Sequence, residues 1–205
     1  MDMRKILADE IAKGIITTGV EGPFDAVSCS TAGDYPSMGC SQWEGSRGDL
    51  LLSYIDGGNY FAGRTYSDIV NSGELGQLKA LIGSEQGKTA QQIILAGDCL
   101  TYVDALQQVP TLDDTRCLIY AGIWCPTSHY VVSKFLKNRC NTNNLRSLVV
   151  LRDLFMTQYY RSAGVGEQYA AGYENRAILT YNYVAGIDLT SPYGIPPYGE
   201  AGNGR

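Results

Sequence analysis

Apolar residues recur at helical spacing along most of the chain, and one stretch breaks the pattern. In residues 3–16, Leu7, Ile11 and Ile15 fall four apart, which predicts an amphipathic helix. Gly14 weakens the end of that helix, and Thr17-Thr18-Gly19 stops it. From Glu21 to Trp43 the periodicity is lost. Gly22-Pro23, Gly33 and Pro36 punctuate short runs such as Phe24-Asp25-Ala26-Val27, the pattern of a small irregular hairpin. A helix follows over 46–55 through Leu50, Leu51, Leu52 and Tyr54, closed by Gly57-Gly58. Helices are then expected over 67–82, 88–107, 112–123, 128–139, 144–161 and 172–184. Ile93, Leu100, Val103 and Leu106 mark one apolar face; Leu145, Leu148, Val149 and Phe155 mark another, with Asn143 as a cap. After Gly186 the chain is rich in proline and glycine, so 186–205 reads as a tail, flexible or laid on the surface. No internal repeat is visible. The expected fold is mainly α (α+β), one domain over 1–185 with a small β-hairpin near the N-terminus.

Composition narrows the function classes. The 205 residues are 44% hydrophobic and 18% charged, which suits a globular chain with a core of its own. Fifteen tyrosines against four phenylalanines favour clefts that hold sugars, and equally an ordinary half-buried surface. His129 is the single histidine, so a hydrolytic zinc site is not expected, nor is any cofactor. The net charge of −5 argues against a nucleic-acid partner. Within it, Lys134, Lys137, Arg139, Arg146, Arg152 and Arg161 are opposed only by Asp153 in that stretch. That run reads either as a face for an anionic polymer or as a solvated helix face. No apolar stretch is long enough to span a bilayer, so no membrane insertion is expected. The N-terminus turns acidic at Asp9-Glu10, too early for a signal peptide. Synthesis in a cytoplasm is therefore expected, with some other route out. None of the six cysteines forms a CxxC pair, and reduced, mostly buried thiols are expected.

The richest stretch is Glu21-Gly22-Pro23-Phe24-Asp25-Ala26-Val27-Ser28, followed by Gly39-Cys40-Ser41-Gln42-Trp43, Arg47 and the leucine-rich helix. A carboxylate just past a helix, a glycine-rich hairpin and a Gly-x-x-Gln-Trp together resemble the lysozyme superfamily. The likeness is to phage endolysins and tail lysozymes, relatives of goose-type lysozymes and lytic transglycosylases. It extends over 3–185, with motif specificity in 21–52; Gln91-Gln92, Ala96-Gly97-Asp98, Tyr102 and Asp113-Asp114 resemble the helical lobe of such enzymes. The resemblance implies a monomeric enzyme acting on the glycan strand of bacterial peptidoglycan, made in a host cytoplasm and released, or carried on a virion. It implies that Glu21 is the catalytic carboxyl, that a Gly-x-x-Gln hairpin faces it, and that Arg176 and Tyr181 line the cleft.

The chemistry gives its own reason to attend to Glu21. Glycosidic cleavage needs a protonated acid to donate to the leaving oxygen. The negative end of a helix dipole, with Phe24 and Trp43 nearby, would favour that form; an ordinary turn residue is the alternative. Asp34 is the candidate to activate water from across the cleft, at the roughly 6.5–9.5 Å an inverting pair requires. Asp25 is a second candidate, and Gly33-Asp34-Tyr35-Pro36 is also good turn chemistry. The resemblance implies that one glutamate suffices. Gln42 would reach sugar hydroxyl or N-acetyl groups, and Tyr35 and Trp43 would offer planes to sugar rings; Trp43 reads equally as core. Gly39 fits a close backbone approach.

Two other classes stay open. One is a wall-lytic cysteine peptidase or amidase using Cys40 or Cys29 with His129. The other is a non-catalytic glycan-binding or virion structural module. Neither a Gly-x-Ser-x-Gly nor a phosphate-cradling motif occurs.

Overall fold

The computed structural model describes residues 2–30 and 32–188. The protein is mainly helical, with one two-stranded antiparallel hairpin near the N-terminus. In chain order, α1 spans Met3–Thr18, β1 Val27–Cys29, β2 Pro36–Met38 and α2 Gly45–Ser53. Then come α3 (Tyr66–Asn71), α4 (Leu75–Ile82), α5 (Glu85–Leu106), α6 (Thr115–Ile123) and α7 (Cys125–Lys137). The last are α8 (Leu148–Leu154), α9 (Tyr160–Ser162) and α10 (Ala170–Ala185). Most of the tail expected over 186–205 lies outside the described residues.

The chain divides into two compact units. Unit 1 takes the residues up to Val20 and those from Asp98 onward; unit 2 is Glu21–Gly97. The division falls inside α5.

Unit 1 is built around α6, in which every residue except Arg116 is buried. The stripe Leu7, Ile11 and Ile15 of α1 is fully buried, each side chain stabilising by about 1.5–3 kcal/mol. A reciprocal pair of glycines lets α1 and α6 approach. A Cβ on Gly122 would meet Ile11 Cδ1 at 2.4 Å, and one on Gly14 would meet Ile123 Cδ1 at 2.4 Å. Gly14 is thus the site of this close approach, and the chain stops its helix at Thr17-Thr18-Gly19 as expected. The helix runs on to Thr18, where the Gly19 N–H closes it on the Ile15 carbonyl. Beyond α6, Trp124 is enclosed by Phe155, Tyr159 and Tyr173, with ring centroids 4.7, 5.2 and 5.8 Å away.

Several expected helices are interrupted. The one over 67–82 is two helices, because Gly73 turns the chain at φ 76° between α3 and α4. The one over 112–123 starts only at Thr115, where Asp114 accepts from the Cys117 N–H as its cap. Within α7, Ser128 is extended and its hydroxyl accepts from Val131 N–H, so a regular helix restarts there, as expected from 128 onward. The helix over 144–161 begins at a Ser147 cap rather than at Asn143, whose amide donates to the Arg139 carbonyl instead. It widens into a π-helical turn at Phe155–Tyr159, which delivers both rings to Trp124.

In unit 2 the strands pair in the register Val27↔Met38, Ser28↔Ser37 and Cys29↔Pro36. All of β2 is buried; in β1 only Val27 is. Leu51 and Leu52 of α2, Ile69 of α3, and Leu78 and Ile82 of α4 complete this core.

Candidate functional site

Glu21 opens unit 2 at a corner that only glycine can follow. Gly22 has φ 133°, and a Cβ there would stand 3.0 Å from that of Ala26 and 3.8 Å from Gln42 Nε2. The chain turns again as the Ala26 N–H donates to the Pro23 carbonyl at 3.0 Å. Glu21 is half-buried, and its Oε1 is shut off from water. The Glu21-Gly22 corner and Gln42, linked in the sequence only by motif spacing, are thus neighbours.

Gln42 sits in the left-handed region (φ 52°) at the far end of the hairpin. Its Nε2 donates to the Gly39 carbonyl at 2.9 Å, and its Oε1 accepts from Ser28 Oγ at 3.0 Å. Its own carbonyl accepts from Ser37 Oγ at 3.3 Å. The amide is fixed before any ligand arrives. Trp43 follows, exchanging both backbone hydrogen bonds with Met38, and its side chain is only 5% exposed. It belongs to the core and offers little surface to a sugar. Tyr35, at the hairpin tip, is 50% exposed. With Met38, Ser46, Asp49 and Arg64 it lines a pocket of about 230 Å³.

Asp34 is exposed but committed. Its Oδ1 accepts from both the N–H and the hydroxyl of Ser67 at 3.0 Å, tying the hairpin tip to the start of α3. The Ser67 N–H is the main reason its carboxyl lies below the ordinary range. This caps the start of α3, a partner 33 residues away that the local turn reading of Asp34 did not include.

Asp25, the other carboxyl offered for activating water, is exposed in unit 2 against Gly83, whereas Arg176 and Tyr181 belong to unit 1. Arg176 stacks on Trp124 at 4.4 Å and donates from Nη2 to the Ile123 carbonyl at 3.1 Å, capping the end of α6. Tyr181 lies under the Arg152 guanidinium at 4.9 Å. Both have structural partners inside their own unit.

Two residues that the sequence reading gave no site role hold the hairpin unit in place. Gln91, 0% exposed, accepts on Oε1 from the Cys40 N–H and donates from Nε2 to the carbonyls of Phe24 and Ile82, each at 2.9 Å. Gly39 makes room for it, since a Cβ there would lie 2.2 Å from Gln91 Oε1. The Phe24 loop, the end of the hairpin and the end of α4 are therefore locked together. Glu44, at the head of α2, is half-buried and accepts from Ser30 Oγ at 2.6 Å, a further carboxyl on the hairpin.

The cysteine reading gains little support. Cys40 is buried, and burial pushes its thiol up to about 12, so it carries no activated thiolate. Cys29 is exposed, while His129, in unit 1, stacks on Tyr102 with ring centroids 6.0 Å apart. None of the described cysteines is joined in a disulfide. No group of three or more potential metal ligands occurs, and no helix is long and apolar enough to cross a membrane, among the described residues. No protein-family model, curated protein or solved structure matches the chain.

Proposed function

We propose that the chain cleaves the glycan strand of bacterial peptidoglycan, as a muramidase or a lytic transglycosylase, with Glu21 as the acid that protonates the leaving oxygen. The observation that carries this reading is the Glu21-Gly22 corner. It presents a half-buried carboxyl with one oxygen away from water, at a corner whose next residue, Gly22, lies against an amide, Gln42, already fixed by Ser28 and Gly39. General acid catalysis asks for a carboxyl partly withdrawn from water. Tyr35 supplies a plane for a sugar ring. Asp34, bound to Ser67, is not needed for water activation in this reading, which leaves one glutamate to do the acid–base work. A wall-lytic role places the protein at the cell wall after synthesis in a host cytoplasm, by release or on a virion.

The test is mass spectrometry of fragments released from purified peptidoglycan by the wild type and by Glu21→Gln. Loss of the carboxyl proton is expected to lower cleavage by about 10²–10⁴-fold. Reducing ends would identify a hydrolase and 1,6-anhydro ends a transglycosylase. Peptides released with intact glycan, or full activity in Glu21→Gln, would refute the assignment.

A further inference from the structure

A second pocket of unit 2 flanks the Glu21 corner; it includes Asp25, the other carboxyl offered for activating water, which takes no acid–base role in the single-glutamate reading proposed above. Its volume is about 480 Å³. Pro23, Phe24 and Asp25 wall it on the loop side, and Lys79, Ser84 and Lys88 on the side of α4 and α5. These walls are fixed relative to each other. Gln91 Nε2 bonds both the Phe24 and the Ile82 carbonyls, and Asp25 packs so closely on Gly83 that a Cβ there would stand 2.9 Å from that of Asp25. A pocket preformed in this way binds without the cost of ordering its walls.

The lining carries both signs of charge. Lys88 is committed to Glu85 at 2.8 Å. Lys79 and Asp25 share the pocket, yet neither forms an ion pair with the other or with any other described residue. An ammonium and a carboxylate that border one space without meeting leave room for a ligand group offering the opposite charge to each. The Pro23 and Phe24 side chains supply an apolar wall for a methylene stem. We propose that this pocket takes the zwitterionic end of a diamino acid in a wall peptide, its carboxylate on Lys79 and its ammonium on Asp25. The source of that group, a peptide attached to the glycan, rests on the function proposed above; the charge pattern does not.

Titration of the full chain with meso-diaminopimelate, followed by amide chemical shifts, is expected to move Phe24, Gly83 and Ser84 saturably. Lys79→Ala and Asp25→Asn are each expected to weaken the apparent affinity about tenfold, as are the probes glutarate, with carboxylates only, and cadaverine, with amines only. No saturable shift, an equal response to all three probes, or unchanged affinity in both variants overturns the proposal. In a second arm, peptidoglycan containing diaminopimelate is compared with glycan strands stripped of peptide. Lys79→Ala is expected to slow cleavage of the first about tenfold and to leave the second within about twofold. An equal loss on both overturns the proposal. A wild type that binds the probe and cleaves neither substrate would remove the glycan-cleaving function and leave the pocket standing.

Discussion

Gln91 joins three segments of unit 2 with one side chain, and it fills every hydrogen bond it makes from a position closed to water. Leucine there would remove the partner of the buried Cys40 N–H and Ile82 carbonyl, at about 1–3 kcal/mol each, and of the part-buried Phe24 carbonyl, at less. Gln91→Leu is therefore expected to destabilise the protein by about 3–5 kcal/mol in urea denaturation, whereas Gln92→Ala, on the exposed side of α5, should change little. Glu74 makes a prediction about pH. Hydrogen bonds from Ser72, Tyr60 and Arg64 hold its carboxyl at about 2, below the unfolded value of roughly 4.3. A depressed folded value means stability that is present above the unfolded value and lost as pH falls through the folded one. The melting temperature of the wild type should thus fall between about pH 4.5 and pH 2 more steeply than that of Glu74→Gln. At this scale the sequence was partly legible. The Glu21-Gly22 corner and the Gln42 turn announce themselves through glycine and short spacing. Gln91 does not, because its partners Phe24 and Cys40 lie 67 and 51 residues away and leave no local pattern. Trp43 could be read as sugar platform or as core, and only packing shows that it is core.

Among the elements, glycines of similar sequence context do opposite things. Gly14 and Gly122 each admit an isoleucine from the facing helix, while nothing stands within 4 Å of a Cβ on Gly97 in α5. Gly14→Ala and Gly122→Ala are each expected to cost about 1–3 kcal/mol through overpacking of α1 on α6. Gly97→Ala should instead stabilise by up to about 1 kcal/mol, since it restricts the unfolded chain and meets no clash. Urea denaturation of the three variants separates the cases. Helix existence was readable from apolar spacing, and α1, α2, α5 and α10 fall close to their expected bounds. The interruptions were harder to read. The Ser147 cap is a local choice between two polar residues ahead of the same apolar run, and the π-helical turn at Phe155–Tyr159 lies where rings crowd around Trp124, which no periodicity records.

For the whole molecule, charge is the property that the structure reinterprets. The basic run between Lys134 and Arg161 reads in the sequence either as a face for an anionic polymer or as a solvated helix face. In the structure Arg146 pairs with Asp113, Arg152 with Asp153 and Arg161 with Glu167, while Arg139 stacks on Phe135 at 3.8 Å. Paired surface charges exert a weak outward field, and the net charge of −5 opposes any attraction to an anionic wall. Retention on purified cell wall is accordingly expected to change less than about threefold between about 50 and about 200 mM salt. A steep fall would show that the run acts as a docking face. The division into two units had no counterpart in the sequence reading, because one boundary falls within α5, where no linker marks it.

The bond from the Cys40 N–H to Gln91 gives unit 2 an internal clock. An amide in a short loop normally exchanges its hydrogen with water rapidly, yet this one is tied to a side chain buried at 0% exposure and sits in a residue 2% exposed. Its exchange reports the opening of the Phe24 loop, the hairpin end and α4 together. Measured in Glu21→Gln, a slow Cys40 amide would show that a dead variant is folded at its centre, and that the chemistry alone was lost.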